Sequence, residues 1–215
     1  MSIDIVIKKI RRNLKDFGLR GALVKGVQYL LKPIYENRTY RIYRRKLAAE
    51  IFPLKAPEGV VIKVISNDDF GALRQIEEME EWLKGKLSRI MSSGICIAAF
   101  EGSTVVGFNL VALGNAFIPL LNLTKHLHPK HAWSEQISVM KSFRKQGLAS
   151  ALRFHVFSEL QKRGIRKLYG GTLISNIPSQ KSASSVGFQF IADVQYLKIM
   201  NRERRIVRRI KHVVD

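Results

Sequence analysis

The chain has 215 residues, 46% hydrophobic and 25% charged, a globular composition that excludes wholesale disorder. No apolar run approaches the ~20 residues of a membrane-spanning helix, and the length suits one ordinary domain with an extension. Lys and Arg number 37 against 17 Asp and Glu, a formal net charge of +20.

The single cysteine, Cys96, excludes an internal disulfide framework and a multi-cysteine zinc site, and fits a reducing cytoplasm. The first 30 residues show no short apolar core ahead of a small-residue cleavage site, so no cleaved signal peptide is expected. The expected location is cytoplasmic, with a peripheral place on the inner face of the membrane left open.

The charge is concentrated at the flanks. Residues 1–55 hold 14 basic and 4 acidic side chains, and residues 201–215 hold 6 and 2. Ile3, Ile7, Ile10, Leu14 and Phe17 recur at spacings of four and three, which predicts a helical stripe with Lys8, Lys9, Arg11, Arg12 and Lys15 largely off it. A second apolar segment runs from Ala22 to Leu31 and ends at Pro33, and a third, with Tyr40, Tyr43 and Leu47, runs to about Glu50. Residues 1–55 are thus expected to form a basic amphipathic helical extension. It either packs on the domain that follows or lies on an anionic membrane surface.

Pro53 and Pro57 bracket a linker, and residues 56–200 then change texture. Val60 to Ile65 predicts a strand. Phe70, Leu73, Ile76, Met79 and Leu83 predict a helix capped by Asn67 or Asp68. Ile95–Phe100, the turn Glu101-Gly102-Ser103 and Val105–Leu113 predict a hairpin. Gly114 to His131 is poorly patterned. Trp133–Val139 predicts a strand with Trp133, Glu135, Ile137 and Val139 on one face. There follow a helix from Leu148 to about Arg163, a strand Lys167–Leu173, a short helix Pro178–Val186 and a strand Phe188–Ile199. This order gives a mixed sheet with helices on its faces. In residues 201–215, Ile206, Val207 and Ile210 space as a short basic helix or tail.

The segment that carries chemistry lies between a strand and a helix: Val139-Met-Lys-Ser-Phe-Arg144-Lys145-Gln146-Gly147-Leu148-Ala149-Ser150. Arg144 and Lys145 supply cations, Gly147 permits close backbone approach, and the helix start offers free N–H groups to a phosphate. It lacks the Gly-Lys-Ser/Thr ending of a Walker loop and the glycines of a dinucleotide fingerprint.

Arg144-x-x-Gly147-x-Ala149 resembles the signature of the GNAT acyltransferase superfamily. Asn176-Ile-Pro-Ser179 followed by Gly187-Phe188 is similar to its second motif, and the element order agrees over residues 58–200. The resemblance implies an α/β (α+β) fold: a mostly antiparallel mixed sheet with a splayed central strand pair and flanking helices, carrying the N-terminal helical extension. It also implies transfer of an acyl group, most often acetyl, from coenzyme A to an amine, without a metal. On this resemblance the pyrophosphate lies on the amides of Arg144 to Ser150. The pantetheine arm passes between Trp133–Val139 and Lys167–Leu173, pairing near Ile137 and Val139, and Asn176 and Ser179 approach the far end of the cofactor.

The reaction needs a neutral amine, a stabilised oxyanion and a proton for the departing thiolate. In the resembled family a strand N–H serves the oxyanion. Glu135 is the candidate base, against the reading of a strand carboxylate paired with a cation. Many family members protonate the thiolate with a tyrosine four residues before the Gly-Phe pair; here Ala183 stands there. Tyr196 is the candidate substitute, with core packing and water as the competing readings.

His126, His128 and His131 are close in sequence but lack a cysteine or carboxylate, so no metal is expected; they are also candidates for the acceptor border. Glu77, Glu78, Glu80 and Glu81 read as a solvated helix face, with attraction of a cationic acceptor as the alternative. The expected function is N-acetyl transfer from acetyl-CoA, or another acyl-CoA, to a small amine. One alternative is a long chain delivered by an acyl carrier protein gripped through residues 1–55, with Ala116–Leu121 covering the chain. The other is a silent module binding an anionic surface through the basic flanks. Nucleic acid is the weakest partner, since the basic clusters lack interleaved aromatics.

Overall fold

The computed structural model describes residues 34–47 and 54–210. Eight strands form one sheet in the order β10-β9-β1-β8-β7-β4-β3-β2. In chain order they are β1 (Tyr35–Lys46), β2 (Val60–Ile65), β3 (Ile95–Glu101), β4 (Thr104–Leu113), β7 (His131–Val139), β8 (Lys167–Leu173), β9 (Gln189–Ile199) and β10 (Arg202–Arg209). A separate hairpin pairs β5 (Asn115–Ile118) with β6 (Leu123–His126). The helices are α1 (Phe70–Met79), α2 (Leu87–Met91), α3 (Leu148–Lys162) and α4 (Ile177–Ser184).

Alternation along β3 divides the core between two faces. Ile95, Ile97 and Ala99 pack with Leu152, Val156, Phe157 and Leu160 of α3. Cys96, Ala98 and Phe100 pack with Leu73 and Ile76 of α1 and with Leu83 and Leu87. On that second side, a further cluster gathers Tyr40, Ala112, Ile118, Leu121, Trp133 and Tyr196. Every sheet contact is antiparallel except β7 with β8. The sheet and its flanking helices match the expected fold class.

Two expectations about the flanks are corrected. Tyr40, Tyr43 and Leu47 do not lie on a helix: β1 is a central strand, antiparallel to β8 on one side and β9 on the other. Their spacing of three and four imitates a helical stripe, but Tyr40 and Tyr43 point into opposite cores. Three arginines of this strand lie against aromatic rings. Arg41 sits 4.2 Å from the Phe190 centroid, Arg45 4.5 Å from Phe157 and Arg38 4.6 Å from Tyr196, where guanidinium groups keep their stems buried and their charge on a π face. Arg41 also forms a two-pronged ion pair with Asp193, both bonds 2.9 Å.

The boundary expected at residue 55 therefore falls behind a strand that belongs to the sheet. The stripe of residues 3–17 and the segment Ala22–Leu31 lie outside the described residues. The C-terminal run is also no helix. Met200, with φ 53, turns the chain, and Arg202–Arg209 pairs with β9 as an edge strand whose exposed arginines discourage further strand addition.

Candidate active site

β8 is hydrogen-bonded to β1 along its whole length. Its other edge meets β7 only at His131–Lys167, Ala132–Leu168 and Trp133–Tyr169. Beyond that point the two parallel strands part. Gly170 and Gly171 line the opening, so β8 places no side chain where the gap begins. A cleft of about 1040 Å³ passes through it.

A bulge in β7 shapes the first side of the cleft. Leu110 faces Gln136 and Val111 faces Ser134, which leaves Glu135 as the extra residue. The bulge inverts the alternation, so Trp133 joins the Tyr40 cluster while Ile137 and Val139 pack toward α3. Trp133, Glu135, Ile137 and Val139 thus do not share one face. Glu135 lines the cleft and accepts the Phe117 N–H at 3.2 Å. Burial raises its carboxyl from 4.5 to about 7, against the opposing pull of that hydrogen bond. Tyr40 lines the same cavity, its phenol pushed up by burial and then by the Glu135 charge.

Tyr196 is not part of this site. Its ring is fully buried in the Tyr40 cluster, stacked by Arg38 and Arg205 and outside the cleft lining. Core packing, the competing reading of this strand tyrosine, describes its place.

On the α3 side, Ser134, Ile137, Asn176, Ser179 and Ala183 line the cleft. Asn176 accepts the Ser179 N–H at 3.2 Å and so starts α4. The loop ahead of α3 is held from within. Arg144 Nε donates to the Val139 carbonyl at 3.0 Å, and Gln146 donates to the Ser142 carbonyl at 2.8 Å. Lys145 (φ 64) and Gly147 (φ 81) are left-handed. Gly147 caps α3 without a side chain, and the first backbone bond of the helix is Ala151 N to Gly147 O at 3.0 Å. The amides of Leu148, Ala149 and Ser150 therefore find no acceptor among the described residues, an arrangement that fits a diphosphate. This loop lies outside the cleft lining itself.

Besides Tyr40, four ionisable cleft residues escaped the sequence reading. Tyr43 lines the cleft and its hydroxyl donates to Gln180 Oε1 at 3.3 Å, one helical turn before Ala183. Arg153, 8% exposed, reaches Ser182 O and Oγ at 2.6 Å, and burial lowers its pKa to about 10. Lys86 and Arg89 line the same cleft, as do Trp82 and Phe117. Tyr43 carried no clear signal, because Tyr-Arg-Ile-Tyr breaks strand alternation and imitates a helical spacing. The other three had none beyond their charge.

The remaining clusters do not border the cleft. His126 meets Asn115 Oδ1 at 2.9 Å, while His128 and His131 stack at 4.9 Å. Among the described residues no group of three or more His, Cys, Asp or Glu is placed to hold a metal. Glu77 accepts the Gly85 N–H at 3.0 Å and Glu78 pairs with Arg74. Ala116, Ile118 and Leu121 are core residues, which leaves Phe117, Pro119 and Leu120 as the members of that stretch on the cleft. No helix among the described residues is long and apolar enough to cross a membrane.

Strands that part around a cleft, and open amides at the helix start beside it, define an acetyltransferase fold. The chain belongs to the acetyltransferase (GNAT) family, whose model matches residues 61–188. Among curated proteins none matches. The structure is similar to a GCN5-related N-acetyltransferase from Sphaerobacter thermophilus, with TM-score 0.56 and 16% identity over 87% of this chain and 58% of that one. It is also similar to a GNAT-family protein from Novosphingobium aromaticivorans (TM-score 0.52, 15% identity, 76% and 66% covered). A Staphylococcus epidermidis protein of unknown function gives TM-score 0.56 at 12% identity, with 82% and 67% covered. This chain spans 58% of the Sphaerobacter protein, and identities this low speak to the fold.

Proposed function

We propose that the protein transfers an acyl group, acetyl first among them, from coenzyme A to the primary amine of a small molecule by direct attack inside the cleft. The observation that carries this reading is the cleft itself, which Glu135, Ile137, Asn176 and Ser179 line together. Diphosphate has the open amides of Leu148 to Ser150, with Arg144 and Lys145 as exposed cations beside them. The pantetheine arm has the edge of β7 left unpaired beyond Trp133.

In the reaction the amine nitrogen forms its bond to the acyl carbon as the carbon–sulfur bond breaks. Glu135 takes the proton lost by the amine, directly or through water. Tyr43 takes the place assigned to Tyr196 on sequence grounds. It lines the same cleft as Ala183 and its hydroxyl lies on Gln180, one turn before that residue, so it is the candidate proton donor in place of the family's tyrosine. Tyr43→Phe should lower turnover about tenfold, a modest loss because water can also protonate a thiolate. Unchanged rates across pH in that variant would return the step to water.

Calorimetric titration with acetyl-CoA tests the proposal. Micromolar binding is expected, and Gly147→Val should weaken it about tenfold, since a β-branched residue is strained at φ 81 and crowds the diphosphate. No heat of binding from the full chain would sink the reading. Turnover is then followed by thiol release. Cys96 does not interfere, being fully buried with its thiol pushed up to about 12.

A further inference from the structure

We infer that the amine acceptor carries an anionic group, a carboxylate or a phosphoryl group, held by Lys86 and Arg89 while its amine reaches Glu135. This rests on the acyl-transfer reading and names the substrate class for the same cleft.

Both cations line the cavity and both are exposed. They are three residues apart at the start of α2, which puts their Cβ atoms about 5–6 Å from one another on one side of the turn. Neither side chain has a hydrogen-bond or ion-pair partner among the described residues, although acidic side chains stand close by in sequence. Glu77 is engaged with the Gly85 backbone and Glu78 with Arg74, and none of Glu77, Glu78, Glu80 and Glu81 borders the cavity. Two adjacent, unpaired cations repel each other, and an anion between them removes that repulsion. The guanidinium fork of Arg89 matches carboxylate and phosphoryl oxygens in pairs.

The rest of the lining points the same way. Glu135 is the one carboxylate among the described lining residues, and its raised pKa leaves it only partly charged near pH 7. A polycationic acceptor would meet Lys86 and Arg89 with almost nothing to offset them. An amine that also bears negative charge is drawn in by those cations and by the +20 chain as a whole. Trp82 and Phe117 add apolar surface to the lining.

The test uses matched acceptors sharing one amine: an α-amino acid and its amide, an amino sugar with and without a phosphate, and a polyamine. Initial rates are read by thiol release, and binding is measured on coenzyme A-saturated protein. In at least one pair the anionic member should exceed its neutral twin at least tenfold in kcat/KM, with the polyamine poorest. Which pair responds distinguishes carboxylate from phosphoryl. The double variant K86Q/R89Q should bring that ratio close to one while acetyl-CoA binding holds. Parity within both pairs, a preferred polyamine, anionic members that neither react nor bind, or a ratio unmoved in K86Q/R89Q would each overturn the inference. Failure of acetyl-CoA to bind would instead overturn the acyl-transfer reading beneath it.

Discussion

Glu135→Gln should lower turnover by about 10²–10³ while leaving acetyl-CoA affinity within twofold, the loss usual for a positioned general base. Glutamine keeps the size of the side chain and its carbonyl still accepts the Phe117 N–H, so what disappears is the ability to take a proton. The pH profile gives a second readout. With the Glu135 carboxyl near 7, the rate constant of the native protein should rise with unit slope below pH 7 and level above it. The variant should lose that inflection.

Stability should move in the opposite sense. A carboxyl raised from 4.5 to about 7 on folding holds its proton in the native state where the unfolded chain has released it. The folded protein is therefore destabilised progressively as pH climbs from 4.5 to 7, and the full cost, at most about 3 kcal/mol, persists above that. Glu135→Gln removes the penalty, so its thermal midpoint should exceed that of the native protein at pH 8 and approach it at pH 4. Equal turnover in the variant, with coenzyme A affinity preserved, would take Glu135 out of the chemistry.

The parts of this structure that were legible in the sequence share a physical feature: their local pattern and their tertiary role agree. The predicted strands Val60–Ile65 and Lys167–Leu173 match β2 and β8 residue for residue, because β-branched and alternating residues bounded by turn formers leave few other options. Gly147 announced a tight approach at a helix start, and its φ of 81 shows why a glycine serves there. β1 was illegible for the opposite reason. Arg38, Arg41 and Arg45 occupy positions that a sequence pattern assigns to solvent, yet each lies on an aromatic face, and Arg41 also pairs with Asp193, contacts that come from residues about 110–160 positions away. The Glu135 bulge was hidden too, since an extra residue in β7 shows itself only against the register of β4. The consequences were substantial. A helix placed across Tyr40 and Tyr43 removed two cleft residues from view, and unbroken alternation put Glu135 beside Ile137 and Val139.

The neighbouring glycines of β8 should respond to the same small substitution in different currencies. A Cβ added at Gly171 would overlap the Tyr40 ring and lie 2.7 Å from the Arg41 carbonyl. Both belong to β1, which is itself clamped between β8 and β9, so neither can yield without breaking strand pairing. Gly171→Ala should therefore cost about 3 kcal/mol, the upper part of the usual range for overpacking, and appear as a lower urea midpoint. A Cβ at Gly170 meets Ser134 Cβ at 3.4 Å, an ordinary contact, and alanine restricts the unfolded chain more than glycine does. Gly170→Ala should thus keep its stability within about 0.5 kcal/mol. Its methyl group nevertheless stands in the gap where β7 and β8 part, so KM for acetyl-CoA should rise several-fold. If Gly171→Ala proves as stable as Gly170→Ala, the packing of Tyr40 across β8 is wrong. If Gly170→Ala leaves KM untouched, the pantetheine arm does not pass between these strands.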